Sequence, residues 1–82
     1  MQIAIEISYY ALMGEYSAPV KDFLERLLQY KMIEIEIGNM STIISGEYQL
    51  VMQVITDTMD PLLARYPSVF VLKVSNACTI GG

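Results

Sequence analysis

Apolar and polar residues alternate in three parts of the chain, and this period of two predicts β-strands. Residues 2–10 form the first strand. The segments KMIEIEIG and MSTIISGE form a β-hairpin over residues 32–46, ended by Gly46 and turned at Gly38-Asn39, because both turn residues tolerate positive φ. VFVLKVSN forms the last strand. The residues predicted to face the core are Ile3, Ile5, Ile7, Tyr9, Ile33, Ile35, Ile37, Phe70, Leu72 and Val74.

Two stretches between these strands place apolar residues at helical spacing. Ser17 is a suitable N-cap for the first helix, and Glu47 suits the positive end of the second. Pro61 is expected to kink the second helix or to begin a short extra turn over residues 61–65. The predicted apolar stripes are Val20, Phe23, Leu24, Leu27 and Leu28 in the first helix, and Leu50, Val51, Val54, Ile55 and Met59 in the second.

The resulting order, β-α-β-β-α-β, predicts an α+β ferredoxin-like sandwich with a four-stranded antiparallel sheet and two helices on one face. Residues 1–82 form one domain, in which residues 77–82 are expected to be a loose tail. The first strand should lie between the last strand and the second hairpin strand. The face without helices is predicted to carry Ala4, Glu6, Ser8, Tyr10, Met32, Glu34, Glu36, Val71 and Lys73. Glu6 and Lys73 can pair across adjacent strands.

The composition is apolar for so short a chain, with 54% hydrophobic and 17% charged residues among 82. Apolar surface should therefore remain after folding, for self-association first and a ligand groove second. A net charge of −4 with five cations makes nucleic acid and anionic membranes poor partners, whereas a cationic small molecule fits. The start does not resemble a signal peptide, and no apolar run approaches the roughly 20 residues of a membrane span. We therefore expect a cytoplasmic protein.

Few residues offer catalytic or metal chemistry. The chain has no histidine, and its single cysteine, Cys78, is interpreted as a small hydrophobe rather than a nucleophile. Residues 11–18 contain neither the cysteine pair of ferredoxin-like metal chaperones nor the arginine of acylphosphatase. Glu34 and Glu36 are better explained as solvated strand charge than as an acid–base pair. The sequence thus predicts no enzyme, no metal and no cofactor.

Three segments together resemble the YkoF-like thiamine/hydroxymethylpyrimidine-binding family over nearly the whole chain. They are ISYYAL, GNMSTIISGEYQLVM and VSNAC, with Met40-Ser41-Thr42 as the best marker and Ser75-Asn76-Ala77-Cys78 as the second. The resemblance implies a ferredoxin-like domain that binds thiamine or its hydroxymethylpyrimidine half without catalysis. It also implies association of domains through their sheets, which a single-domain chain can supply as a homodimer or homotetramer.

Thiamine combines an aminopyrimidine, which needs donors and acceptors, with a cationic thiazolium, which favours aromatic rings and carboxylates. The predicted ligand-binding residues are Tyr9, Tyr10, Met40, Ser41, Thr42, Glu47 and Asn76, and Glu6 is a further source of negative charge. Glu47 can equally be a helix-start charge. Strand alternation places the Ser41 and Thr42 hydroxyls on opposite faces. Two other functions remain open, an ACT-like domain that senses amino acids and a purely structural oligomer.

Overall fold

The computed structural model describes residues 1–15 and 17–77, and within them it has the predicted ferredoxin-like α+β architecture. Cys78 and most of the predicted tail lie outside the described residues. The strands form one antiparallel sheet in the order β2-β3-β1-β4, so β1 lies between β3 and β4 as expected. The elements are β1 (Gln2–Ala11), α1 (Ser17–Leu27), β2 (Glu34–Ile37), β3 (Thr42–Glu47), α2 (Tyr48–Arg65) and β4 (Ser68–Ser75).

The core lies between the helices and one face of the sheet. The buried apolar residues are Ile3, Ile5, Ile7, Phe23, Leu27, Ile33, Ile44, Val51, Val54, Ile55 and Leu62. Three predicted core residues, Leu28, Ile37 and Val74, are instead about half exposed. Leu28 lies just past the end of α1, Ile37 is the last residue of the short strand β2, and Val74 lies on the edge strand β4. Periodicity assigned each residue to a face but could not show how far the helices cover it.

The β2–β3 connection differs from the predicted two-residue turn. It is a four-residue loop, Gly38–Ser41, closed by a 2.9 Å hydrogen bond from the Gly38 amide to the Ser41 carbonyl. No non-glycine residue in the described part of the chain has positive φ, so Asn39 does not adopt the conformation that a type I′ turn requires. The third strand consequently begins at Thr42, and Met40 and Ser41 belong to the loop.

The predicted strand end at Gly46 is also wrong, because β3 continues through Gly46 to Glu47. A Cβ atom at Gly46 would lie 3.3 Å from Val51 Cγ2 and 3.4 Å from Ile33 Cγ2, so the missing side chain lets β3 approach both. Glu47 then caps α2, accepting a 3.1 Å hydrogen bond from the Leu50 amide. This end of the sheet is therefore tied closely to the start of α2.

Helix α2 continues from Tyr48 to Arg65, so Pro61 does not begin a separate short turn over residues 61–65. Pro61 removes one helical hydrogen bond, but Leu62 is fully buried and its carbonyl accepts from the Tyr66 amide, which ends the helix. Tertiary packing of Leu62 thus outweighs the helix-breaking tendency. The side chain of Thr58, one turn earlier, is also buried, and its hydroxyl has no hydrogen-bond partner.

The face of the sheet without helices carries both charged and apolar side chains. One row of cross-strand neighbours is Glu36–Ile43–Glu6–Lys73, and the predicted Glu6–Lys73 pair is present at 3.4 Å. Nearer the end of β1, Tyr10 lies opposite Val69 and Ser8 opposite Val71, and both valines are exposed. We call these surfaces the charged row (Glu36, Ile43, Glu6, Lys73) and the apolar patch (Tyr10, Val69, Val71).

Replacing Thr58 with valine should stabilise the protein by about 1 kcal/mol, because the change removes a buried hydroxyl that has no partner. The measurement is the free energy of unfolding from urea denaturation. Thr56→Val is the matched control in the same helix, since the Thr56 hydroxyl is exposed and donates to the Met52 carbonyl at 2.9 Å. Destabilisation by Thr58→Val would contradict the assignment of an unpaired hydroxyl.

Candidate functional site

A cavity of about 390 Å³ opens at one end of the sheet, where neighbouring strands differ in length. Strand β3 pairs with β1 only as far as Ile7 opposite Thr42, whereas β1 continues to Ala11 along β4. Tyr9, Tyr10 and Ala11 therefore have no strand partner on the β3 side. The cavity occupies this notch, and its lining residues are Tyr9, Tyr10, Ala11, Val20, Phe23, Leu24, Ile37, Gly38, Asn39, Met40, Ser41 and Thr42.

Tyr9 forms a fixed aromatic wall of the cavity. Its ring stacks on Phe70 with centroids 4.4 Å apart and planes inclined by 6°, and it meets Phe23 of α1 at 5.3 Å. The hydroxyl group is 2.9 Å from Ser68 Oγ, which itself donates to the Tyr66 carbonyl at 3.0 Å. Because Ser68 uses its hydrogen in that bond, the Tyr9 hydroxyl is the donor to Ser68. Tyr9 is thus held in place by its contacts with Phe70, Phe23 and Ser68.

The marker residues of the β2–β3 connection all line the cavity, but in different settings. Thr42 is buried and lies opposite Ile7 on the helix-covered side of the sheet. Ser41 is half-buried, and its hydroxyl donates a long 3.4 Å hydrogen bond to Glu6 Oε2 on the open face. The expected separation of these two hydroxyls between the faces is therefore present. Met40 is 87% exposed at the cavity mouth, and the Tyr10 side chain is about half exposed.

Two predicted ligand-binding residues lie at the other end of the sheet. Glu47 is the last residue of β3 and caps α2, so it has a structural role at that position. Asn76 follows β4 and borders a shallower hollow of about 280 Å³. The structure thus brings together Tyr9, Tyr10, Met40, Ser41 and Thr42 but separates Glu47 and Asn76 from them. The hollow near Asn76 is lined by Gln2, Ile3, Ala4, Ser45, Asn76 and Ala77.

Several lining residues were not predicted as ligand contacts. Helix α1 contributes three of them, Val20, Phe23 and Leu24. Their helical spacing predicted only that they face the core. The unpaired edge of β1 was also missed, because it depends on where β3 begins. The four-residue loop determines that β3 begins at Thr42, whereas the sequence predicted a two-residue turn at Gly38-Asn39.

The lining of the cavity is typical of a small-molecule site. Its walls are aromatic and aliphatic, and its polar groups in the described residues are hydroxyls, the Asn39 amide and backbone groups. Small-molecule sites commonly combine a mainly apolar lining with a few such groups, in volumes of roughly 300–1,000 Å³. The residues described contain no cluster of three or more side chains suited to a metal ion. No helix among them is both long and apolar enough to cross a membrane.

No protein-family profile and no curated protein matches the sequence. Solved structures do share the fold. A candidate thiamine biosynthesis/salvage protein from Thermotoga maritima aligns with a TM-score of 0.82 at 15% identity, over 94% of this chain and 85% of that one. A Streptococcus pneumoniae protein gives 0.83 at 14% identity, over 94% and 88%. A domain of unknown function, DUF77, from Bacillus cereus gives 0.73 at 17% identity, over 100% and 82%. At these identities the similarity shows the fold alone.

Replacing Tyr9 with phenylalanine should lower the free energy of unfolding by about 1 kcal/mol, because the ring stack remains while the hydrogen bond to Ser68 is lost. Tyr10→Phe is the matched control one residue along β1, where the half-exposed side chain should change stability little. Urea denaturation of both variants measures the difference. Equal effects of the two substitutions would contradict the anchoring role of the Tyr9 hydroxyl.

Proposed function

We propose that this chain is a non-catalytic binding protein for thiamine or its hydroxymethylpyrimidine half. The observation that supports this most is the notch beside β1. There Tyr9 and Tyr10, which have no strand partner on the β3 side, meet the loop and strand start that contain Met40-Ser41-Thr42. An aminopyrimidine presents alternating donors and acceptors along one edge. An unpaired strand edge offers backbone groups of the same kind, and the Ser41 and Thr42 hydroxyls add to them.

Two further observations support this ligand class. The resemblance of ISYYAL, GNMSTIISGEYQLVM and VSNAC to the YkoF-like family points to thiamine or hydroxymethylpyrimidine, and one structural neighbour is named for thiamine biosynthesis or salvage. The carboxylate of Glu6, joined to the cavity through Ser41, is placed to favour the cationic thiazolium. Under this proposal the polar groups of the cavity bind and orient the ligand rather than transform it.

The open sheet face is proposed to pack against a second copy of the chain. A two-fold axis parallel to the strands, between β3 and β1, would place β4 of one copy over β2 of the other. This axis preserves the position of each residue along the strand direction, so Lys73 of each copy would lie opposite Glu36 of the other. The two contacts would form at the two ends of the charged row. The apolar patch beside it would be covered in the same interface. Further pairing of dimers would give a homotetramer.

The binding proposal is tested by isothermal titration with thiamine and with hydroxymethylpyrimidine. We expect saturable binding, weakened roughly 3- to 10-fold by Ser41→Ala or Thr42→Val, because each removes one hydrogen-bonding hydroxyl. Ser45→Ala is the matched control, since Ser45 lies on β3 at the other end of the sheet. Absence of heat at millimolar ligand would overturn the proposal. In a thermal-shift panel, a melting temperature raised by amino acids but not by thiamine or hydroxymethylpyrimidine would favour the ACT-like alternative.

The interface proposal is tested by a charge exchange followed by sedimentation or light scattering. Glu36→Lys should weaken dimerisation roughly tenfold or more, because the introduced ammonium group would then face Lys73 of the other copy. Adding Lys73→Glu should restore the dimer. Glu34→Lys is the matched control, since Glu34 lies on the same strand and face, in the neighbouring row with Ser45. Equal weakening by the Glu34 and Glu36 substitutions, or no recovery in the double variant, would refute the proposed register.

A further inference from the structure

The cavity is bordered by negative charge where it meets the open sheet face. Ser41 lines the cavity and donates to Glu6 Oε2, and Glu6 shares its row with Glu36 on the other side of Ile43. Glu36 directly precedes the lining residue Ile37. The two carboxylates share a single lysine within their row, Lys73, which pairs with Glu6. The charged row therefore keeps a net negative charge beside the cavity.

The cations of the chain lie outside the cavity lining, and Lys73 reaches its border only through Glu6. Four of the five are in ion pairs, and these pairs are Lys21–Glu25, Arg26–Asp22, Arg65–Asp22 and Lys73–Glu6. The fifth, Lys31, lies beyond the carboxyl end of α1, whereas the cavity contacts residues no later than Leu24 in that helix. Among the described residues, no lysine or arginine lines the cavity.

The amino end of α1 would ordinarily be a favourable place for a phosphate group, since its first amides point outward and the helix dipole favours an anion. Here the Ser17 amide donates to Glu15 Oε1 at 3.0 Å, one turn before the lining residue Val20. Hydrogen bonds from the Ser17 hydroxyl and amide lower the pKa of the Glu15 carboxyl, so it is ionised at neutral pH. The Glu15 carboxylate thus occupies the Ser17 amide, which an external phosphate group would otherwise contact.

We infer that the cavity selects the unphosphorylated form of its ligand and rejects the corresponding phosphate ester. This inference rests on the proposed function and deepens it. A phosphate carried by the ligand would find Glu36 and the Lys73-paired Glu6 on the open-face side, and Glu15 at the nearby helix end. It would find no cation in the lining to pair with. Like charges at the border of the cavity oppose binding of the ester, whereas an alcohol or a thiazolium cation meets no such repulsion.

The test compares hydroxymethylpyrimidine with its monophosphate, and thiamine with thiamine monophosphate, by isothermal titration at low ionic strength. Each ester is expected to bind at least about 10-fold more weakly than its alcohol, and the ratio should fall as salt is added. Equal or tighter binding of the esters would overturn this inference while leaving the proposed function standing. Absence of binding by both alcohols would overturn the proposed function, and this inference with it.

Substitutions test whether the preference for the alcohol over the ester depends on the Glu6 carboxylate. Glu6→Gln should reduce the ratio of alcohol to ester affinity, since it removes the carboxylate that Ser41 contacts. Glu34→Gln makes the same change in net charge on the same face, but in the row that contains Ser45, and it should preserve the ratio. Light scattering on each variant confirms that the oligomeric state is unchanged during the comparison. If both substitutions reduced the ratio of alcohol to ester affinity equally, the effect would come from the net charge of the protein and not from the position of Glu6. That result would overturn the inference.

Discussion

The pairing of β1 on both sides is the constraint on which the rest of the structure depends. Its central position buries Ile5 and Ile7 almost completely beneath the helices, and these residues organise the core. The two pairings have different lengths, however, because β4 follows β1 to Ala11 and β3 stops at Ile7. A single strand thus supplies the most buried part of the molecule and, a few residues later, the unpaired wall of the cavity.

The sequence was sufficient for the architecture because the fold depends on periodic burial. Alternation assigned Ile3, Ile5 and Ile7 to the core, and the charges at Glu6 and Lys73 to one open face, and both assignments are confirmed. The errors have a different origin. The loop between β2 and β3 is set by a backbone hydrogen bond between Gly38 and Ser41, which no side-chain pattern reveals. Pro61 remains within α2 because the next residue is buried, which is a tertiary effect.

The candidate site could be predicted only in part for the same reason. Tyr9, Tyr10 and the Met40-Ser41-Thr42 segment converge because they lie where strands end or begin at one end of the sheet. Glu47 and Asn76 have suitable chemistry but lie at the opposite end of the sheet, because Glu47 ends β3 and Asn76 follows β4. The helix contribution from Phe23 depends on how α1 crosses the sheet. Chemistry selects residue types, whereas strand direction and register determine which of them meet.

The close approach at Gly46 has a consequence for how this protein can evolve. There β3, Ile33 and α2 are packed so closely that a methyl group would disturb two side chains, and the adjoining Glu47 holds the helix start. The opposite end of the sheet, by contrast, finishes in an exposed loop and an unpaired strand edge. Substitutions in the exposed loop and along the edge of β1 can therefore accumulate at one end of the sheet without loosening the other. The cavity end of the sheet and the closely packed residues around Gly46 are thus separated by the length of a strand.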